Sequence, residues 1–347
     1  MIESRKEDHI DICLNEDVEL KEDYWDQIKF FHRTAPEINF EDIDISTEFL
    51  GAELSAPFMI SAITGGYKGA EDINKILARS TEKVGIPLGV GSERPAIENE
   101  DLRESYRVIA DYDIPLVFGN VGAPQLVSQK GKKAFTVDDC RKALDIIGGD
   151  FLAVHFNFLQ EVVQPEGDLR GEGVLKALQK ISSEVPVIAK ETGAGISGET
   201  AVRLEKTGIK ALDVGGMGGT SFSAVEYFRM SNEEEKRFAE ELWDWGIPTP
   251  VSILECRKNV DIPLISTGGV RNGLHIAKAL ALGADIAGIA GGVLPYVIKG
   301  EEETIGYLNR LKKELKIAMF LLGCEDVDDL KDTRVIINGD LRDWIEC

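Results

Sequence analysis

One run of the chain concentrates side chains that can do chemistry: His155-Phe156-Asn157-Phe158-Leu159-Gln160-Glu161-Val162-Val163-Gln164-Pro165-Glu166-Gly167-Asp168. It continues an apolar stretch, so His155 and Asn157 bring polar groups to a place where packing calls for apolar ones. A lone histidine there reads as a satisfied core residue. Five amide or acidic side chains between Asn157 and Glu166 are not explained by packing. Glu161 is a carboxylate that could hold Mg²⁺, an ion that takes few carboxylates together with substrate phosphate oxygens. Gln160 offers an amide, which can orient or relay a proton but has no useful acidity of its own. Lys190 ends a second apolar stretch, and a buried lysine is costly unless it is paired.

Two glycine-rich segments offer a different chemistry. Ser266-Thr267-Gly268-Gly269-Val270-Arg271-Asn272-Gly273 and Gly288-Ile289-Ala290-Gly291-Gly292 each close an apolar run and lead into a helical pattern. Backbone N–H groups in such turns bind phosphate, helped by the helix terminus that follows. One Gly-Gly alone reads as a tight turn; two on successive elements point to a phosphate-bearing ligand. The five cysteines (Cys13, Cys140, Cys256, Cys324 and Cys347) form no C-x-x-C and read as reduced thiols.

The elements that must position these groups follow a strand-then-helix rhythm. Short apolar runs recur at 57–63, 86–90, 115–121, 151–157, 186–190, 211–214, 263–267 and 286–290. Near-continuous hydrophobicity suits parallel strands buried on both faces. Helical spacing fills the intervals at Ala70 to Val84, Asp138 to Ile147, Gly198 to Thr207 and Asn272 to Leu282. Eight β/α units over about 240 residues predict an α/β fold of TIM (β/α)8 type. A doubly wound sheet would need fewer strands and one early phosphate loop, whereas here glycines follow many strands. The whole chain, 1–347, reads as one barrel domain: an N-terminal extension at 1–56, the barrel at 57–294 and a C-terminal helical tail at 295–347. A hairpin with arms at Ile43 to Phe49 and Ala52 to Leu54 could plug the N-terminal end of the barrel. Ser231 to Trp245 is an insertion read as a solvated helix. Glu301 to Leu322 is an amphipathic helix, followed by a short irregular end.

The chain has 347 residues, with 39 Lys and Arg against 61 Asp and Glu, a formal charge of −22. This balance argues against a general nucleic-acid binder, whose affinity comes from neutralising phosphates, and against attraction to anionic membranes. The start, MIESRKEDHI, has no apolar core of a signal peptide. No apolar run reaches the roughly 18 residues of a spanning helix. The expectation is a cytoplasmic protein acting on a small molecule.

Taken with Arg5-Lys6-x-Asp8-His9-Ile10, Ala62-Ile63-Thr64-Gly65-Gly66, Gly91-Ser92-Glu93-Arg94, Gly119-Asn120 and Gly218-Gly219-Thr220, the 155–168 run resembles type 2 isopentenyl-diphosphate isomerases. The likeness runs in order from residue 5 to about residue 294. It implies an enzyme that interconverts isopentenyl and dimethylallyl diphosphate in isoprenoid biosynthesis, by a 1,3-allylic proton shift with no net redox change. It also implies FMN, active in its reduced form, together with Mg²⁺, NADPH as the reductant, and a homotetramer or homo-octamer.

Position by position, the resemblance implies the following. Ala62, Ile63 and Thr64 line the flavin, Ser92 and Asn120 hydrogen-bond its ring system, and Lys190 favours its anionic reduced form. Thr220, Gly269, Val270, Arg271, Ala290 and Gly291 hold the FMN phosphate. Arg5, Lys6, His9, Ser92, Glu93, Arg94 and Asn157 bind the substrate. Gln160 faces the double bond as a catalytic residue with His155 and Lys190, and Glu161 ligates the metal.

Two positions depart from the family pattern. Glu93 stands where Gln is usual, and a carboxylate beside a diphosphate would repel it unless turned away or bridged by metal. Gly215 stands where Ser is frequent. The alternative within the same barrel class is an FMN-dependent 2-hydroxy-acid oxidase. That chemistry needs a His base and an Arg pair after the later strands, whereas here the loop after the seventh strand offers only Arg271, already placed at phosphate, and no His precedes it in that strand.

Overall fold

The computed structural model describes residues 2–67 and 69–346, with side chains from Lys6 onward. Eight parallel strands close into a barrel: β1 (Phe58–Ile60), β2 (Leu88–Gly89), β3 (Val117–Gly122), β4 (Phe151–Phe156), β5 (Val187–Glu191), β6 (Ala211–Asp213), β7 (Leu264–Thr267) and β8 (Ile286–Ile289). Each strand pairs with the next in sequence, and β8 pairs with β1 to close the ring. Six fall inside the apolar runs read from the sequence, and β3 and β5 each overrun theirs by one residue, at Gly122 and Glu191.

The strands are buried on both faces, which is why their runs are nearly continuous in apolar residues. Their outward side chains pack against surrounding helices. In the helix Ala70–Val84, for example, Ile73, Leu77, Ala78 and Val84 are buried, while Glu71 and Asp72 sit in the first turn, where the macrodipole favours acids. The helix Val137–Ile147 begins on a reciprocal cap between Thr136 and Asp139. The insertion forms the helix Glu233–Glu241, and the tail forms Glu301–Leu322.

Inward side chains alternate with outward ones. At the N-terminal end the interior is an apolar layer of Met59, Leu116, Phe118, Ala153, Ile188, Ala211, Ile265 and Ile286. The hairpin Thr47–Phe49 with Ala52–Leu54 closes this end, driving Phe49 and Leu54 into the same cluster. The barrel is therefore solid at the bottom and open only at the carboxyl ends of its strands.

Two terminal regions differ from the sequence expectation. The N-terminal extension, for which the sequence pattern gives no helix, opens with one, Ile2–Asn15, whose Ile10 is buried. The end of the chain is ordered into a strand, Val335–Ile337, which pairs antiparallel with Ile28–Phe30, and a helix, Asp340–Glu346. Both strands are three residues long and their partners lie about 300 residues apart, so local patterning carries no signal for the pairing. Trp25 and Ile28 of the extension and Leu308, Leu311 and Leu315 of the tail share the main core with the barrel.

Candidate active site

One pleat above the apolar layer, the inward positions change character. Two residues beyond Met59, Phe118, Ala153, Ile188, Ala211, Ile265 and Ile286 stand Ser61, Asn120, His155, Lys190, Asp213, Thr267 and Gly288. The period of two that fills the floor with hydrocarbon thus delivers a ring of polar groups to the mouth. Above them lies a cavity of about 290 Å³.

Lys190 and Asp213 are both buried, and their side chains meet at 2.6 Å. Thr267 completes the group, accepting from Lys190 at 3.2 Å and donating to Asp213. His155 Nδ1 lies 2.6 Å from Asn120 Oδ1, while Asn120 Nδ2 donates to Val90 O at 2.9 Å. The amide is thereby oriented with its oxygen toward the imidazole, so His155 carries its proton on Nδ1. Burial, and then the positive charges of Lys190 and Lys6, push His155 down to about 3. The ring is neutral at physiological pH and presents Nε2 as an acceptor.

The helix Phe158–Val163 starts where β4 ends and carries Gln160 and Glu161. Asn157 Nδ2 donates to Gln160 Oε1 at 3.0 Å and to Glu161 Oε1 at 3.2 Å. Gln160 Nε2 donates to Glu226 Oε1 at 3.1 Å. Glu226 is fully buried in the helix Phe222–Arg229, where Arg229 pairs with it and His9 Nε2 lies 3.1 Å away. Glu161 Oε2 accepts from Gln164 Nε2 at 2.5 Å and from the Asp168 N–H at 2.6 Å. Asp168 in turn binds Arg94 Nη1 at 2.9 Å and Lys132 Nζ at 2.8 Å.

The N-terminal segment crosses the mouth as a strap. Lys6 Nζ donates to Ser92 O at 2.6 Å and to Tyr106 Oη at 2.8 Å. Leu20 N–H donates to Gly219 O at 3.3 Å, and Trp25 Nε1 donates to Gly268 O at 3.0 Å. Arg271 pairs with Glu19 at 2.9 Å and donates to Gly269 O at 3.0 Å.

The structure therefore brings Lys6, His9, Ala62, Ile63, Thr64, Ser92, Arg94, Asn120, His155, Asn157, Gln160, Glu161, Lys190, Thr220, Gly269, Val270, Arg271, Ala290 and Gly291 to the wall of one cavity. The Arg5 side chain lies outside the described residues. Glu93 is turned away: it is fully buried under the loop that carries Ser92 and Arg94. The acid expected to face substrate thus does not face it. At Gly215 the backbone is left-handed (φ +46°), and a Cβ there would stand 1.8 Å from Glu191 O. A serine does not fit this conformation, so that departure is dictated by the backbone.

Sequence reasoning did not single out Asp213, Thr267, Glu226, Tyr106 or Asp168 as site residues. Counting inward positions along β6 and β7 would have found the first two. Asp168 lies in the motif itself. Glu226 and Tyr106 carry no local signal, because only the folded chain sets them against Gln160 and Ser92.

The cavity suits FMN at the β6–β8 side. There Gly269 approaches the β6 loop so closely that a Cβ on it would stand 2.1 Å from Gly218 O, and Arg271 places a cation beside these turns. In front of Gly291 a Cβ would meet only Thr220 Oγ1, at 3.2 Å, so the cradle is open. The β4 side suits a hard cation and an anion together. Asn157 Oδ1 is buried beside Glu161 and has no hydrogen-bond partner among the described residues, a vacancy that a ligand donor or metal would fill. Among the described residues there is no cluster of three or more metal-binding side chains, so an ion here would rely on substrate oxygens.

A glycine-lined cradle after β6 to β8, at the mouth of a parallel (β/α)8 barrel, lies where barrels of this class bind phosphate groups. The chain matches the family described as FMN-dependent dehydrogenase over residues 8–107 and 154–337, and it belongs to that family. Among solved structures it is similar to a mandelate oxidase with an FMN adduct (TM-score 0.62, 17% identity, 91% of this chain and 90% of that one). It is also similar to a flavocytochrome b2 variant (TM-score 0.64, 19% identity, 91% and 77%). These likenesses concern the fold.

Within the family the chain is a member of the type 2 isopentenyl-diphosphate isomerases. It is 46% identical to the isopentenyl-diphosphate delta-isomerase of Thermoplasma volcanium over the full length of both chains. The enzyme of the same name from Archaeoglobus fulgidus is 42% identical, with 99% of this chain and 98% of that one covered.

Proposed function

We propose that this enzyme interconverts isopentenyl and dimethylallyl diphosphate at the mouth of its barrel, using reduced FMN and Mg²⁺. The observation that carries the reading is the meeting, in one cavity, of the β6–β8 anion cradle and the Asn157–Gln160–Glu161 cluster. The first suits a flavin phosphate and the second a magnesium diphosphate beside an alkene.

The reaction adds a proton at the terminal methylene carbon of isopentenyl diphosphate and removes one from the carbon two bonds away, so the double bond moves with no net redox change. When bound, reduced FMN would supply the acid–base chemistry at the alkene. The residues of the chain do the rest. Arg94, held by Asp168, and Lys6 bind the diphosphate, which provides binding energy remote from the reacting carbons. Glu161 holds the metal. Lys190, fixed by Asp213 and Thr267, keeps a positive charge on the cavity floor that favours an anionic cofactor. Gln160, anchored on Glu226, orients the substrate or relays its proton. The strap of residues 2–25 shields the site from water. NADPH serves as the reductant, and a homo-oligomer is the working form.

A 2-hydroxy-acid oxidase would need a histidine base beside β7. His275, the histidine nearest that strand, is buried and stacks on Trp25 at 5.7 Å between ring centroids, with Nδ1 at 3.2 Å from Gly269 O. The decisive experiment is incubation with isopentenyl diphosphate, Mg²⁺ and anaerobically reduced FMN. Dimethylallyl diphosphate is the expected product, and its absence would overturn the reading.

A further inference from the structure

The loop after β2 departs from regular strand pairing in one specific way. Leu88 N–H donates to Leu116 O and Val90 N–H to Phe118 O, the spacing of a parallel ladder. The next donor in that series would be Ser92. Instead Glu93 N–H donates to Asn120 O at 2.8 Å, so one extra residue is accommodated as a bulge. The returning bonds are exchanged as well. Val90 O takes the Asn120 side-chain amide, and the Asn120 backbone N–H goes to Glu93 Oε2 at 2.8 Å. Residue 93 thus both gives to and takes from residue 120, and its carboxyl oxygen stands in for a strand carbonyl.

We propose that Glu93 is a positioning residue of the active site: its carboxyl group clasps the loop after β2 to the end of β3, and so fixes Asn120 and the His155 ring that Asn120 holds. The clasp also explains how an acid is accommodated where the resemblance leads one to expect an amide. The group is fully buried, and Oε1 has no hydrogen-bond partner among the described residues. The titratable groups that face it are Lys6, Tyr106 and Cys140. Lys6 already donates to Ser92 O and Tyr106 Oη. Burial pushes the carboxyl up to about 8. In its neutral form Oε2 accepts from Asn120 as a glutamine oxygen would, and no negative charge lies under the substrate loop.

The inference rests on the isomerase reading for the importance of the site, but its test needs neither flavin nor substrate. Full-length protein and the variants Glu93→Gln and Glu93→Ala are compared by two measurements. The first is NMR of protein labelled with ¹⁵N, reading the His155 tautomer (one of only four histidines) and hydrogen exchange at the Asn120 amide. Glu93→Gln is expected to keep the Nδ1–H tautomer and the slow exchange. Glu93→Ala is expected to mix the tautomers and speed exchange by roughly tenfold or more, as for loss of one buried hydrogen bond. The second is the thermal midpoint as a function of pH. The folded state keeps a proton that the unfolded state releases near 4.3, so this carboxyl lowers stability progressively as pH rises from about 4.3 to about 8. The midpoint of Glu93→Gln should therefore gain on that of the parent across this interval. An unchanged Asn120 amide and His155 tautomer in Glu93→Ala would overturn the proposal, and so would a midpoint difference between Glu93→Gln and parent that does not grow with pH. If Glu93→Ala does not fold, the glutamine variant decides by both measurements.

Discussion

Lys190 and Asp213 stand opposite each other in register on β5 and β6, and their side chains meet at 2.6 Å inside the barrel. Both are buried, with 8% and 1% of their surfaces exposed. Removing one partner from a buried pair leaves the other charge uncompensated, at a cost of about 3–5 kcal/mol. Asp213→Asn should lower stability by that order in denaturant unfolding. The double variant Lys190→Met with Asp213→Leu should recover much of the loss while giving up flavin affinity. Equal stability of parent and Asp213→Asn would show that the pair is not coupled.

Asp168, in the segment after β4, holds Arg94, in the loop after β2, at 2.9 Å. If Arg94 binds the diphosphate, Asp168→Asn should loosen the guanidinium and raise KM more than it lowers kcat. A charge-assisted hydrogen bond contributes about 1.5–3 kcal/mol, so roughly tenfold to a hundredfold in KM is expected. Steady-state kinetics with isopentenyl diphosphate provides the check, and a fall confined to kcat would count against this role.

Gln160→Asn shortens the side chain between Asn157 and Glu226. Turnover should fall by orders of magnitude while the yellow colour of bound flavin remains. Glu161→Gln should raise the Mg²⁺ concentration needed for half-maximal rate, and an unaltered metal dependence would remove Glu161 from the metal site.

His155 supplies a pH signature. Its folded-state value is pushed down to about 3, below the unfolded value near 6.5, so the unfolded chain takes up a proton first. Stability from this group is complete above about 6.5 and is lost as pH falls toward 3, at roughly 1.4 kcal/mol per pH unit. His155→Asn should be less sensitive to acid than the parent across that window, as read from denaturant midpoints at stepped pH.

Gly215→Ser tests the backbone. Its left-handed conformation and the 1.8 Å approach of a Cβ to Glu191 O leave no room for a side chain. Left-handed strain alone costs about 1–3 kcal/mol, so low recovery of folded protein or a markedly reduced midpoint is expected. A serine variant as stable as the parent would mean that the β6 loop can shift.

The barrel was legible in the chain because each strand is a buried apolar run and each helix between them has its own period. Those are local properties, and β4, β5 and the helix Ala70–Val84 fall almost where the pattern put them. The terminal ribbon of Ile28–Phe30 and Val335–Ile337 was not legible, since a three-residue strand is defined by a partner the local sequence does not contain. The helix Ile2–Asn15 was hidden by its charge: its docking depends on Ser92, Tyr106 and Glu226, which lie far along the chain.

The same division runs through the site. The sequence by itself determined which residue types stand at the carboxyl ends of the strands, through an alternation of period two followed by glycine turns. It also determined that few cations would be placed there against a net charge of −22. Only the tertiary structure decided the partners: Asp213 for Lys190, Glu226 for Gln160, Asp168 for Arg94 and Asn120 for Glu93. A side chain's chemistry is local, but the oxygen or nitrogen it meets at hydrogen-bond distance is set by ring closure and by the strap. Whether a carboxylate such as Glu93 faces a ligand or lies neutral beneath it follows from burial, which no stretch of sequence contains.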